Sequence, residues 1–347
     1  MAKRSIASAW ARAFNRSAKK RLRQTLKTIA PLARQARARS GAAVVQAVQA
    51  AAQHTRFPAA AGDWLPGVAV GAAGLRRFHL YRPAALKGVR AALQQRVPLV
   101  VMLHGCGQNG RAMALSSRMH RLADRHGFLV LYPDQDTLAH PQGCWRWYDT
   151  RSGHAQAEAR TLQSMIDQVC LRYPADRSRV ALAGLSAGAG MAALMATLAP
   201  GRCAAVVMHS GVAPGSAQST ATALQAMRGR GRVALPDEAP LPPLLVLHGT
   251  ADGIVSPDSG RLAAQAWAHA LGALPSTPRR VQRGARHAMN VTDYRCRRKV
   301  VVRLCEIEGL GHAWSGGDRQ QAYSDPAGPD ASRLAWAFMQ AAFEHVP

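Results

Sequence analysis

The chain has 347 residues, with 45 Lys plus Arg against 19 Asp plus Glu, a formal charge of +26. Hydrophobic residues make up 48% of it, ample for a large core, which excludes a disordered chain. No stretch reaches the roughly 18 unbroken apolar residues of a membrane-spanning helix.

The charge is concentrated at the start. Thirteen basic residues precede Asp63, the first acid. This break divides the chain into an extension, 1–60, and an enzyme-sized domain, 61–347. In the extension, Ile6, Trp10 and Phe14 recur every four residues, and Leu22, Leu26 and Ile29 form a second stripe. At about 100° per residue the two stripes point to different sides, so the segment reads as two short basic amphipathic helices or a solvated tail. Such a segment suits an anionic surface or a hydrophobic granule. It lacks the zinc-ligand spacing, helix-turn-helix pattern or interleaved aromatics of a nucleic-acid binder. It also makes a poor signal peptide, because its apolar run, 42–52, is broken by Gln46 and Gln49 and lies behind forty residues. A cytoplasmic or granule-associated location therefore fits better than the alternative, an extracellular one.

From residue 75 onward short apolar runs alternate with helical patterns, the signature of βαβ units. Strands are predicted at 77–81, 99–103, 128–132, 180–183, 204–209, 244–248 and 300–307. Helices are predicted at 111–126, 155–172, 187–199, 258–271 and 330–345. In the second of these, Leu162, Met165, Ile166, Val169 and Cys170 share one face. Fully apolar strands such as Pro98–Leu103 suit a mostly parallel sheet covered by helices on both sides. The six cysteines contain no C-x-x-C pair, which argues against a zinc or iron–sulfur centre, and nothing calls for a cofactor.

The chemistry concentrates at predicted strand ends. Gly184-Leu-Ser-Ala-Gly188 matches G-x-S-x-G between a strand and a helix, the setting in which a serine is pushed into a cleft on a sharp turn. A hydroxyl becomes nucleophilic when an imidazole takes its proton and a carboxylate holds that imidazole. In the chain order Ser…Asp…His, Asp252 follows the strand at 244–248, with Asp258 as the fallback. His312 follows the strand at 300–307 between glycine and alanine, with His287, His248 and His345 as rivals. The oxyanion formed on attack needs two backbone N–H groups. Ala187, directly after the serine, is one candidate, and Cys106, in the loop after the strand at 99–103, is the other.

These motifs resemble the esterase family of polyhydroxybutyrate depolymerases within the α/β-hydrolase superfamily. The matching stretches are Leu103-His-Gly-Cys-Gly-Gln108, Cys144-Trp-Arg-Trp147, Ala183-Gly-Leu-Ser-Ala-Gly188, His248-Gly-Thr-Ala-Asp252 and Gly311-His-Ala-Trp-Ser-Gly-Gly317. The resemblance implies an α/β-hydrolase fold, a Ser186–Asp252–His312 triad and cleavage of short-chain polyhydroxyalkanoates such as poly(3-hydroxybutyrate), or of related small esters. It implies a Cys106–Cys144 disulfide, a bond that a reducing cytosol would oppose. It also implies substrate contacts at Trp314, with Trp145, Trp147 and His104 as further candidates, although buried core is the commoner use of tryptophan. Secreted relatives carry a polymer-binding domain beyond the histidine, whereas 35 residues follow His312 here, enough for one closing helix. Feruloyl and acetylxylan esterases share much the same motifs, so a carbohydrate or general short-chain esterase is the alternative. A reading of another class is a vestigial hydrolase domain acting as a particle- or nucleic-acid-binding protein.

Overall fold

The computed structural model describes residues 57–87, 96–233, 235 and 240–345. The proposed amphipathic helices of the extension, and any granule contact made by them, lie outside the described residues.

Strands and helices alternate along the chain. Strands β1 (Asp63–Gly71), β2 (Gly74–Arg82) and β3 (Val97–Leu103) come first. They are followed by helices α1 (Gly110–Ser117) and α2 (Met119–His126), then β4 (Leu129–Pro133) and α3 (His154–Arg172). Next come β5 (Ala175–Leu185), α4 (Ala187–Leu198), β6 (Ala205–His209), α5 (Thr220–Met227), β7 (Leu244–Gly249) and α6 (Pro257–Ala270). The last part holds β8 (Leu274–Pro275), β9 (Arg279–Val281), β10 (Met289–Cys296), β11 (Lys299–Ile307), β12 (Trp314–Ser315), β13 (Ser324–Asp325) and α7 (Ala331–Phe343).

The main sheet runs β1-β2-β4-β3-β5-β6-β7-β11-β10-β8, with β9 also on β10. From β4 to β11 all neighbours are parallel, and antiparallel strands complete both edges. Every residue of β4, β6 and β7 is buried. Because successive side chains of a strand point to opposite faces, both sides of the sheet are covered, as the unbroken apolar runs predict.

The order of strands locates the site. After β3 the chain places β4 on one side and β5 on the other, so a crevice opens between the carboxyl ends of β3 and β5. Ligands of open α/β sheets bind in such switch-point crevices. The 104–110 loop leaves β3 there, and Ser186 leaves β5.

All seven predicted strands form, and four of the five predicted helices form as single elements. The expected helix at 111–126 is instead two, broken at Arg118, whose φ of +52° ends α1. The break lets the Arg118 guanidinium donate to Gly316 O at 2.6 Å, tying these helices to the chain that follows His312. Edge strand β1, strand β10 with the short strands β8, β9, β12 and β13, and helix α5 lie outside the predicted elements. β1 carries Pro66 and Gly67, which read as loop, and proline is tolerated there because it lies on the sheet edge. Among the described residues no helix is long and apolar enough to cross a membrane.

Candidate active site

The turn from β5 into α4 forces Ser186 into φ +57° and ψ −119°, a conformation that costs a non-glycine residue of order 1–3 kcal/mol. Small neighbours make it possible. A Cβ on Gly188 would lie 2.2 Å from Leu103 O, and one on Gly184 would lie 2.3 Å from the Gly188 carbonyl carbon. The helix start therefore packs directly against the end of β3. The Ser186 amide donates to His209 O at 2.9 Å, anchoring the turn to β6.

Asp252 follows β7 with its side chain fully buried. Its Oδ1 accepts the Ile254 and Val255 amides at 3.0 and 2.9 Å. Its Oδ2 lies 2.8 Å from His312 Nδ1. Burial alone would push this carboxyl up. The hydrogen bonds from His248, His312 and the Val255 amide outweigh it and hold Asp252 well below the usual carboxylate range. Since Asp252 is an anion, His312 Nδ1 carries the shared proton. That tautomer leaves Nε2 with its lone pair, the state a general base requires.

His209 links the two halves of the site. Its carbonyl takes the Ser186 amide, while its ring Nε2 accepts the Ser315 amide at 3.1 Å, three residues beyond His312. Burial, with the neighbouring His248 and His312, pushes His209 down to about 3, so the ring stays neutral and keeps that acceptor. Sequence reasoning missed His209, because within an apolar strand nothing marks a histidine as a bridge.

The rival residues are placed elsewhere or otherwise engaged. Asp258 sits in the first turn of α6, paired with Arg261. His287 faces Asp325 at 3.3 Å, and His345 is exposed. His248 lies beside Asp252, its Nε2 3.4 Å from Oδ2, with its ring 1% exposed.

In the loop after β3, Gly107 N donates to Gln142 O, Gln108 N to Gly105 O, and Gly105 N to the Gln108 side chain. The Cys106 amide, like that of Ala187, has no acceptor among the described residues. A Cβ on Gly105 would lie 3.5 Å from Ser186 Cβ, so this loop borders the serine. A disulfide joins Cys106 to Cys144, as the resemblance implies.

The residues expected to meet substrate lie in the core instead. Trp145 and His104 are 0% exposed, and Trp314 is 1%. Trp145 Nε1 donates to His104 O at 3.1 Å. His104 Nε2 accepts the Gln135 amide, and its Nδ1 lies 2.9 Å from Gly105 O, so the ring braces the loop from behind. Trp314 Nε1 donates to Ser332 Oγ at 3.1 Å, and its ring packs on His209. Trp147 is buried against Gly190. All three tryptophans are thus buried, the commoner use of this residue. Instead, Tyr323, half-buried, sets its ring edge-on to His312. The Trp314→Phe variant is accordingly expected to lose about 1–2 kcal/mol of stability, from the lost indole bond and the small void. Its KM should stay within about twofold of wild type, whereas a substrate-stacking tryptophan would raise KM by more; thermal melts and steady-state kinetics check both.

The profile of the family described as "Esterase PHB depolymerase" matches residues 78–282, more than half of the chain. Feruloyl esterase B of Neurospora crassa is 28% identical over 52% of this chain and 67% of its own length. Poly(3-hydroxyalkanoate) depolymerase C of Paucimonas lemoignei is 31% identical over 49% of this chain and 44% of its own. A probable acetylxylan esterase A of Aspergillus clavatus is 28% identical over 53% and 65%. The chain thus spans between about half and two thirds of these relatives. Among solved structures, the acetyl xylan esterase of Aspergillus awamori shares the fold, with a TM-score of 0.54 at 20% identity over 68% of this chain and 89% of that one. By the extent of the profile match, the chain belongs to the esterase family of polyhydroxybutyrate depolymerases, within the α/β-hydrolase superfamily.

Proposed function

We propose that the protein is a serine esterase acting on short-chain polyhydroxyalkanoates, such as poly(3-hydroxybutyrate), or on their oligomers. Ser186 Oγ attacks the ester carbonyl as His312 Nε2 takes its proton, and the tetrahedral oxyanion is held by the Cys106 and Ala187 amides. His312 then protonates the leaving alcohol, giving an acyl-enzyme, and water repeats the cycle to release the acid. Asp252 holds the ring and balances the imidazolium. The observation that carries this reading is the 2.8 Å bond from His312 Nδ1 to the buried Asp252, together with the strained backbone of Ser186. A second reading, deacetylation or deferuloylation of xylan, is favoured by the number of acetylxylan and feruloyl esterases among the relatives.

The test has two parts. A fluorophosphonate is expected to label Ser186 stoichiometrically, as located by peptide mass spectrometry; absence of label there refutes the nucleophile and favours a binding protein. A panel of 3-hydroxybutyrate oligomers and films, acetylated xylan and methyl ferulate then ranks the substrates by kcat/KM. Preference for either plant ester by tenfold or more overturns the polyester reading in favour of the second.

A further inference from the structure

The proposed triad leaves one buried histidine beside it without a role. His248 is the penultimate residue of β7, and its ring is 1% exposed. Its Nε2 lies 3.0 Å from Val255 O and 3.4 Å from Asp252 Oδ2. Both neighbours are acceptors, so the proton of this ring sits on Nε2. The other nitrogen, Nδ1, is buried with no partner among the described residues, and a Cβ on Gly260 would come within 2.7 Å of it. Strand and helix thus clamp the ring with its single N–H turned toward the carboxylate loop.

We propose that His248 is a positioning residue for the catalytic carboxylate: Asp252 is shared by two imidazoles, and the N–H of His248 sets how strongly the carboxylate supports the proton on His312. The inference rests on the triad reading above. Asp252 accepts three hydrogen bonds, two amides on Oδ1 and His312 on Oδ2, and the His248 N–H stands beside Oδ2, its nitrogen 3.4 Å away. Each donor draws negative charge away from the face turned to His312. The contact from His312 is the short one, at 2.8 Å; the His248 N–H bonds Val255 O and approaches Oδ2 from 3.4 Å, so it adjusts the carboxylate electrostatically without competing for it. The same N–H donates to Val255 O at 3.0 Å, which ties His248 to the 252–255 turn that carries Oδ2.

Few other charges face this group. On β6 stands His209, which burial keeps neutral. Across from His248 on β11 is Glu306, held by Arg261 of α6, which also binds Asp258. The ring of Tyr323 approaches His312 edge-on. None of these hydrogen-bonds Asp252.

The sign of the effect follows. Without the His248 N–H the carboxylate keeps more charge for His312, whose imidazolium becomes more stable, so the acid limb of kcat/KM moves to higher pH. With p-nitrophenyl butyrate as substrate, His248→Phe is expected to move that limb up by about half a pH unit. It should also lower kcat roughly tenfold while KM changes less than about twofold. His248→Gln, whose amide nitrogen reaches the position of Nε2, is expected to return the limb to the wild-type pH. A purely structural histidine would lower the folded fraction and leave the limb in place, and an unmoved limb in a folded Phe variant overturns the proposal. Should the Phe variant not fold, nitrogen NMR of the wild-type protein decides: His248 is expected as the Nε2–H tautomer at neutral pH, and the Nδ1–H tautomer overturns the proposal. Fluorophosphonate labelling of Ser186 in the same samples separates the two readings. Label on Ser186 with an unmoved limb removes only the role of His248, whereas no label removes the triad as well.

Discussion

Asp252→Asn is expected to lower kcat by about four orders of magnitude while the protein stays folded. The geometry dictates the direction. Oδ1 accepts two main-chain amides, from Ile254 and Val255, and only an oxygen can serve there. The amide NH2 of the variant must therefore take the place of Oδ2, 2.8 Å from His312 Nδ1. Facing a donor, Nδ1 must become an acceptor, and the ring proton moves to Nε2. The nitrogen meant to receive the Ser186 proton then already carries one, and the imidazolium of the transition state has lost its counter-charge. Stability should respond differently. The folded-state pKa of Asp252 lies below its ordinary 3.8, so the stability drawn from its ionised form is complete above that value and is lost as the pH falls toward the folded-state pKa. Wild type and variant should therefore differ in melting temperature at neutral pH and converge in strong acid. Kinetics at the pH optimum and melts across the acid range read both effects. A variant retaining more than about a hundredth of wild-type kcat would remove Asp252 from the proposed triad; the alternative carboxylate, Asp258, is exposed and committed to Arg261.

Much of this arrangement was legible in the sequence for one physical reason. A strand buried on both faces needs an unbroken apolar run, and the reactive groups of an open parallel sheet leave the ends of such runs. Ser186, Asp252 and His312, the residues of the proposed triad, each follow one, at β5, β7 and β11, so periodicity and chain order single them out as candidates. What escaped reading depends on contacts that local pattern does not carry. The β10 strand buries Asp293, which looks wrong for a strand until Arg279 and Arg303 are seen beside it. The helix at 111–126 has unbroken helical periodicity, and its break at Arg118 answers to Gly316, 198 residues away. His209 earns its position through one carbonyl bond to the serine turn and one ring bond to the chain after His312. The tryptophans show the reverse error. A motif match transfers the identity of Trp145 and Trp314, but whether an indole faces a cleft or the core depends on neighbours such as Ser332 and His104.

Removing the Cys106–Cys144 bond by a double alanine substitution is expected to cost both stability and turnover. The bond closes a loop of 38 residues, and the loss of that constraint on the unfolded chain is worth about 3–4 kcal/mol. For a domain of this size the melting temperature should fall by roughly 10 °C. The effect on chemistry comes from where the bridge lies. Cys106 supplies the proposed oxyanion amide, and the turn around it is otherwise joined to the 134–149 segment by the Gln135 amide to His104 Nε2 and Trp145 Nε1 to His104 O before it, and by Gly107 N to Gln142 O and Gly110 N to Asp134 Oδ1 after it. Two hydrogen bonds on either side of the cysteine still define the turn but allow its amide to swing. Losing such a donor outright costs about 10²- to 10³-fold in kcat; a loosened one should cost about tenfold, chiefly in kcat, because the donor acts on the oxyanion and not on the bound ester. In the intact protein both sulfurs are buried, Cys144 at 1% and Cys106 at 6% exposure, so mild reductant should reproduce the variant only as the temperature approaches the melt. A double variant with wild-type kcat and a lowered melting temperature would show a clamp on the fold alone, and would move the second oxyanion donor away from Cys106.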